Sequence, residues 1–385
     1  MKTIAVVGGG SGGISTVNHL AYKLRDQVKS GDVKIILIEG SQRHYYQPGF
    51  LEIPFDMMTP ASTYRPVLKM LADGVTLVPE FATALDLKNM TVRTDNQSIK
   101  YDFIVIATGA RYDYDAVPGL KQGTDNFYSL ESAVELKKKI NAFRSGRIVV
   151  GVSSMPYKCT PAPLEAVFML NDYFTRRGIR DKIDIDYVYP MPIAFPDSGI
   201  SEIALNMFKE KGIKSNLGFQ IKSVDVPSRE LVSQKGDRIQ YDLALIVPPH
   251  RGSRLLESSG AADQMGWAQV DGFTLNLKGY ENAYAIGDAT SLQVSKAGSV
   301  ADAQAIVVSE RIVQSILGEQ PVSIYDGSGG ALMLTGMGKA SMITSSYTQK
   351  PVFMPESYSF YWLKLIYNNV YWNMTAKPVL NGVVQ

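Results

Sequence analysis

The chain has 385 residues, 45% hydrophobic and 20% charged, with a formal net charge of +2. That length predicts two to three domains of about 150 residues each, the composition is that of a globular protein with sizeable cores, and the near-neutral charge argues against a nucleic-acid partner. The single cysteine, Cys159, excludes an intramolecular disulfide. No apolar run reaches the roughly 18 residues of a spanning helix, and the N-terminus reads as a strand of the fold rather than a signal peptide, so the chain is expected in the cytoplasm.

The first element is the strand Ile4-Ala5-Val6-Val7, which runs into Gly8-Gly9-Gly10-Ser11-Gly12-Gly13. Gly8, Gly10 and Gly13 meet the pattern G-x-G-x-x-G, and a second apolar strand, Val33 to Ile38, ends on Glu39 and Gly40. Strand, glycine loop, helix start and downstream acid together predict a dinucleotide-binding βαβ unit. Gly8 permits the tight turn, Gly10 and Gly12 leave backbone N–H groups open to a pyrophosphate, and Gly13 lets helix and strand pack closely. Glu39 is expected to accept hydrogen bonds from a ribose. The buried strand Phe103 to Ile106 closes on Ala107-Thr108-Gly109, a small-residue turn suited to close passage beside a cofactor.

Pro118-Gly119 marks a crossover, residues 130–145 have helical character, and Arg147 to Val152 is the strand opening a second α/β unit. Further strand ends are expected at Val188-Tyr189 and from Leu243 to Pro249. Ala283-Tyr284-Ala285-Ile286 then delivers Gly287-Asp288 at a strand end, and residues 300–317 have helical spacing. A strand ending in Gly-Asp far downstream of a glycine loop is where flavoproteins hold the ribityl chain. With the three parts in this order, FAD is the predicted cofactor.

The motif order resembles the two-dinucleotide-binding-domain flavoproteins, the glutathione-reductase-like superfamily. Three further stretches resemble the sulfide:quinone oxidoreductase and flavocytochrome c sulfide dehydrogenase family. These are His44-Tyr45-Tyr46-Gln47-Pro48-Gly49-Phe50, the segment from Pro156 through Cys159 to Ala166, and Tyr325-Asp326-Gly327 leading to Thr335-Gly336-Met337-Gly338-Lys339. The resemblance implies an α/β fold of two Rossmann-like domains. The FAD domain would be split between residues 1–115 and 276–320, and residues 116–275 would form the second domain, carrying Cys159. Residues 321–385 would form a C-terminal segment with an aromatic helix. It also implies electron transfer from sulfide, or a related reduced sulfur compound, through FAD to a quinone, with His44 and Tyr46 lining the cofactor.

The rival reading, a type II NADH:quinone dehydrogenase, needs a second glycine-rich loop. Here Gly151-Val152-Ser153-Ser154-Met155-Pro156-Tyr157 keeps only Gly151, and the prolines at 156, 161 and 163 redirect the helix start. Cys159 lies beside a helix N-terminus near Ala162 and next to Lys158, features that favour a thiolate. Glu165 on the same helix start is a candidate proton shuttle or a structural carboxylate, and Lys339 is a candidate for the flavin or acceptor site. His19 reads as structural, and neither a metal-ligand cluster nor a Ser/His/Asp set is suggested.

The family pairs its cysteine with a second one, and alignment on Tyr325-Asp326-Gly327 and Thr335-Gly336 places Ala331 there. Either Cys159 works alone, or the protein is a flavoprotein with a different donor or no turnover. Residues 353–375 read as a membrane-surface segment on the cytoplasmic face. Tyr358, Tyr361, Trp362, Leu365 and Ile366 share one helix face, and Ser359, Lys364, Asn368 and Asn369 are the polar remainder. The alternative is a helix docked on the protein core or on a second copy in a homo-oligomer.

Overall fold

The computed structural model of the protein describes residues 1–377, so the last residues of the C-terminal segment lie outside the described part. Strand β1 (Lys2–Val7) passes through the glycine run into helix α1 (Ser11–Lys23), followed by β2 (Val33–Ile38), β3 (Val75–Val78) and β4 (Phe103–Ile106). Helix α2 (Leu130–Ala142), β5 (Gly146–Val152), α3 (Ala162–Arg176), β6 (Ile183–Tyr189), β7 (Ile213–Leu217) and β8 (Leu243–Val247) make a second α/β unit. The chain returns through β9 (Ala283–Ala285) and helix α4 (Gly298–Ile316). It ends in the hairpin of β10 (Gly329–Gly336) and β11 (Lys339–Ser345) and in helix α5 (Tyr358–Tyr371).

Two parallel sheets result, ordered β9-β4-β1-β2-β3 and β7-β6-β5-β8. Parallel neighbours need a crossover, and α1 supplies it between β1 and β2, where Ile4 pairs with Ile35 and Val6 with Leu37. The central strands are continuous apolar runs because both sheet faces are covered; Ile4, Ala5, Val6, Ile104 and Val105 are fully buried. Strand β9 completes the first sheet by pairing Ala283 with Ile104, so that sheet is assembled from two distant stretches of chain.

The two chain crossings between the sheets pair with each other. Arg111–Tyr112 and His250–Arg251 form an antiparallel ribbon, locked by Arg251 on Asp113 at 2.6 Å. The return crossing therefore comes well before residue 276. Leu255, Leu256, Ala268 and Val270, which the sequence reading put in the second domain, pack in one core with Ala5, Ile36 and Ile104.

Helix α5 reverses the usual arrangement of an amphipathic helix. Lys364, Asn368 and Tyr371, spaced by four and three residues, form its buried face, with Lys364 only 6% exposed. Trp362 is 61% and Ile366 55% exposed, and Tyr358 and Leu363 join them on the outer side. The polar remainder of the sequence reading is thus in part the docking face. Ser357 caps the helix by accepting from the Phe360 N–H at 3.1 Å. Among the described residues no helix is long and apolar enough to cross a membrane.

Beside the apolar contacts of Phe360, Tyr361, Tyr367 and Tyr371, the docking has an ionic centre. The Lys364 ammonium donates to Glu165 Oε1 at 2.8 Å and to the Leu332 carbonyl at 3.1 Å, and lies 3.5 Å from Glu52 Oε1. Burial raises the Glu52 carboxyl above its ordinary value of 4.5, against the lowering pull of Lys364. A carboxyl raised in the folded state lends stability below its unfolded value and loses it as pH rises through the folded one. Lys364→Met removes the cation and leaves two buried carboxyls facing each other. We expect that variant to lose about 3–5 kcal/mol in mild alkali and markedly less in acid, where protonation of Glu52 relieves the repulsion, as measured by urea unfolding at the two pH values.

Candidate active site

Three helix N-termini converge on one cleft of about 880 Å³ between the two sheets. Gly10, Ser11 and Gly12 bring the start of α1, Cys159 and Ala162 that of α3, and Ala297 and Gly298 that of α4. None of the three helices has a side-chain N-cap. The first N–H groups of α1 and α4, and the positive dipole ends of all three helices, therefore favour an anionic ligand in this space.

The glycines divide into those that fit protein against protein and those that leave room. A Cβ on Gly13 would stand 1.8 Å from the Gly8 carbonyl oxygen, and Gly8 itself, at φ 104°, sits against the Ala107 carbonyl. Nothing lies within 4 Å of a Cβ built on Gly10 or Gly109, and both line the cleft. Bare backbone at a helix start, with Ala107, Gly287 and Asp288 across from it, is the cradle a dinucleotide pyrophosphate and ribityl chain require. The residues present fit FAD.

Glu39 stands at the end of β2, where its Oε2 accepts from the Gly9 N–H at 2.5 Å and its Oε1 from the Ser41 N–H at 2.6 Å. Gly40 lies beside it against the Phe81 ring, outside the cleft. Thr108 donates to the Ser253 hydroxyl at 3.1 Å. Glu165 is buried behind the cleft wall, holding Lys364 and the Leu334 N–H.

Three expectations are corrected. Tyr46 is buried and does not line the cleft; its hydroxyl donates to Asn368 at 2.7 Å, and its ring lies 4.6 Å from that of Tyr371, because α5 covers it. Gln47, Pro48, Phe50 and Leu51 of the same loop reach the cleft instead. His44 is buried too, joining the Gly9 carbonyl at 2.8 Å to the Tyr371 hydroxyl at 2.7 Å. Lys339 is half-exposed at the start of β11, pairs with Glu356 at 2.7 Å and does not line the cleft.

The third correction concerns the thiol. Cys159 lies at the α3 start but in a left-handed conformation, φ 57°, with its N–H on the Lys296 carbonyl at 2.7 Å. Burial first, then the Glu165 carboxylate, pushes its thiol up to about 12, outweighing Lys364 and the helix N–H of Ala162. The Lys158 ammonium does not sit on the sulfur. It donates to Gln47 at 2.6 Å and lies 4.7 Å from the centre of the Tyr112 ring.

Sequence reasoning missed Phe127 and Tyr128, which line the cleft, and Lys296. Lys296 is a buried lysine lying 4.2 Å over the Trp267 ring. It donates to the Thr290 carbonyl at 2.6 Å and to that of Asp288 at 3.2 Å, and burial lowers it to about 8. Lys296 and Ala297 also border a second cavity of about 1730 Å³, lined by Thr160, Pro161, Trp267, Tyr347 and Ala331. Ala331 therefore faces that second cavity and not the one that Cys159 lines.

Residues 2–306 match the pyridine nucleotide-disulphide oxidoreductase family. The chain belongs to that family. Its members are FAD-dependent oxidoreductases, which agrees with the cofactor read from the glycine loop and Asp288. The chain is 29% identical to the mitochondrial sulfide:quinone oxidoreductase of Schizosaccharomyces pombe over 97% of this chain and 90% of that one. It is 25% identical to the mouse mitochondrial sulfide:quinone oxidoreductase over 98% and 87%. The crystal structure of the sulfide:quinone oxidoreductase of Aquifex aeolicus superimposes with a TM-score of 0.86 at 20% identity, covering 100% of this chain and 96% of that one. The fold is shared more widely: NDH2 of Plasmodium falciparum, solved with NADH, gives a TM-score of 0.74 at 12% identity, covering 98% and 96%.

The thiol makes a direct check possible, since the chain has no other cysteine. In the flavin-free protein, alkylation of Cys159 by iodoacetamide is expected to keep accelerating up to about pH 12. A plateau near the ordinary thiol value of 9.0 would show that burial and Glu165 do not raise the thiol, and only a plateau below it would show a thiolate stabilised by the cleft.

Proposed function

We propose that the chain is a sulfide:quinone oxidoreductase-like enzyme that takes electrons from a reduced sulfur compound at the Cys159 side of the cleft and passes them to a quinone. The observation that carries this reading is that Cys159 lines the same cleft as Gly10, Gly109 and Asp288. Gly10, Gly12 and Gly13 with Glu39 would hold the adenosine and pyrophosphate end of FAD, Ala107 to Gly109 and Gly287-Asp288 the ribityl end. FAD, when bound, supplies an acceptor for an electron pair and a donor to the quinone.

With one cysteine on the chain, Cys159 cannot cycle through an internal disulfide, so the second sulfur atom belongs to the substrate. The larger cavity beside Thr160 and Ala331 is the route by which such a compound would come up to the Cys159 loop. NADH is disfavoured as donor because the loop after β5 is filled by side chains: the buried Tyr157 donates to the Thr160 carbonyl at 3.0 Å and meets the Tyr189 hydroxyl at 3.2 Å. The outward face of α5, with Trp362 and Ile366 exposed, suits the membrane–water interface from which a quinone arrives. Peripheral attachment through residues 353–375 follows from that face.

Followed anaerobically, the flavin absorbance band is expected to bleach with sulfide and to persist with NADH. Cys159→Ser should keep its FAD and lose the sulfide response; an unchanged response would remove Cys159 from the mechanism, and bleaching by NADH would overturn the donor assignment. For the acceptor side, the double variant Trp362→Asp, Ile366→Asp is expected to stay folded and stop floating with liposomes. Undiminished flotation would rule out α5 as the membrane contact.

A further inference from the structure

The loop between β1 and α1 contains one peptide unit that its own residues do not orient. Gly9 and Gly10 both lack a Cβ, so the peptide between them can turn over at little steric cost. Which way it faces matters to an anion. The peptide is trans, so its C=O and N–H point in opposite directions. One orientation offers the cleft a hydrogen-bond donor, the other a carbonyl oxygen.

Two side chains from beyond β2 hold Gly9: Glu39 accepts from its N–H at 2.5 Å, and His44 Nδ1 lies 2.8 Å from its carbonyl. His44 is 1% exposed and does not line the cleft, whereas Gly10 does. With its carbonyl on His44, the peptide turns the Gly10 N–H to the cleft side. Among the described residues that N–H has no hydrogen-bond partner.

The same bonds fix the imidazole. A carbonyl only accepts, so Nδ1 carries the proton and Nε2 is left as the acceptor. Burial lowers the His44 pKa, which keeps the ring neutral. Tyr371, at the end of α5, donates to Nε2 at 2.7 Å. Its one proton is then spent, and its oxygen accepts from Ser11 Oγ at 2.9 Å. Tyr371 thereby holds both chain neighbours of Gly10, Gly9 through His44 and Ser11 directly.

We propose that His44 and Tyr371 are positioning residues for the cofactor pyrophosphate, through which the C-terminal helix sets the grip of the glycine loop on FAD. This rests on FAD as the cofactor and not on the identity of donor or acceptor. Neither side chain lines the cleft; both act through the Gly9–Gly10 peptide. An N–H aimed at a phosphate attracts it, and a carbonyl turned to the same place repels it. Cofactor affinity is therefore controlled by a residue 327 positions along the chain from His44.

The test titrates the flavin-free full chain with FAD and follows flavin fluorescence. Tyr371→Phe keeps the ring and removes only the hydroxyl; it should weaken FAD binding about tenfold, and His44→Ala about 30-fold. His44→Asn places an amide nitrogen where Nδ1 stood and should recover most of that loss. In its background Tyr371→Phe should cost nothing further. ADP, which carries the pyrophosphate without the flavin, should lose affinity by the same factors, while adenosine should bind all variants alike. Unchanged FAD affinity in Tyr371→Phe and His44→Ala, additive losses in the double variant, or equal losses for ADP and adenosine would each overturn the proposal. Urea unfolding of the flavin-free variants supplies the control: lowered stability with FAD affinity of the folded protein retained would make the pair merely structural. Failure of the cofactor reading looks different, because wild type itself would take up no FAD.

Discussion

Lys364 joins three parts of the chain that are far apart in sequence. It comes from the C-terminal helix, Glu52 from the loop after the first βαβ unit, and Glu165 from the first turn of the helix that follows Cys159. A buried ion cluster of this kind is poor glue compared with apolar packing, because desolvation cancels most of the attraction. What it provides is register. Only one placement of α5 brings Lys364 between two carboxyls, Asn368 between Glu52 and Tyr46, and Tyr371 onto His44 and Ser11. Through His44 that register is carried to the Gly9 carbonyl, inside the glycine loop itself.

The cleft inherits its character from backbone more than from side chains. Three uncapped helix starts point into it and Lys158 and Lys296 line it beside them, which makes it a place for negative charge. The same cleft denies that benefit to the Cys159 sulfur. Glu165 stands close enough to oppose a second anion, and the left-handed backbone at Cys159 turns the residue toward the Lys296 carbonyl. A helix N-terminus favours an anion only where desolvation and neighbouring carboxylates do not outweigh it.

This contrast marks how far the sequence could be read. The glycine loop, the strand to Glu39, the turn at Ala107 to Gly109 and the Gly287-Asp288 strand end were legible because each is a contiguous pattern whose geometry follows from local rules. In the second unit the helix over 130–145 and the strands at Arg147 to Val152 and Leu243 to Pro249 fall within a few residues of α2, β5 and β8, whereas β7 and the helix Ser198–Lys211 are not marked in that reading. The surroundings of Tyr46, Lys339 and the Cys159 thiol are not legible for one shared reason: they come from other parts of the chain and not from the sequence neighbours. Tyr46 is covered by Asn368 and Tyr371 from the far end of the chain, Lys339 is taken by Glu356 from the segment just before α5, and Lys158 is drawn off Cys159 by Gln47. Nothing local identifies Lys364 as buried, since its position next to Leu363 and Leu365 suits a solvated lysine equally well.

The reversal of α5 follows from the same logic. A helix with one apolar and one polar face normally buries the apolar one, and the hydrophobic effect favours that by about 25 cal/mol per Å². Here the protein leaves Trp362, Leu363 and Ile366 outside and spends its interior on Lys364 and Asn368. The buried cation and amide have preformed partners: Lys364 meets Glu165 and the Leu332 carbonyl, and Asn368 meets Glu52 and Tyr46. The ion cluster and the aromatic face are therefore two sides of one device: the fixed polar register holds the helix so that its apolar side remains available. Any surface that covers Trp362 and Ile366 must press on the helix that carries Lys364, and so on the ion cluster directly beneath it.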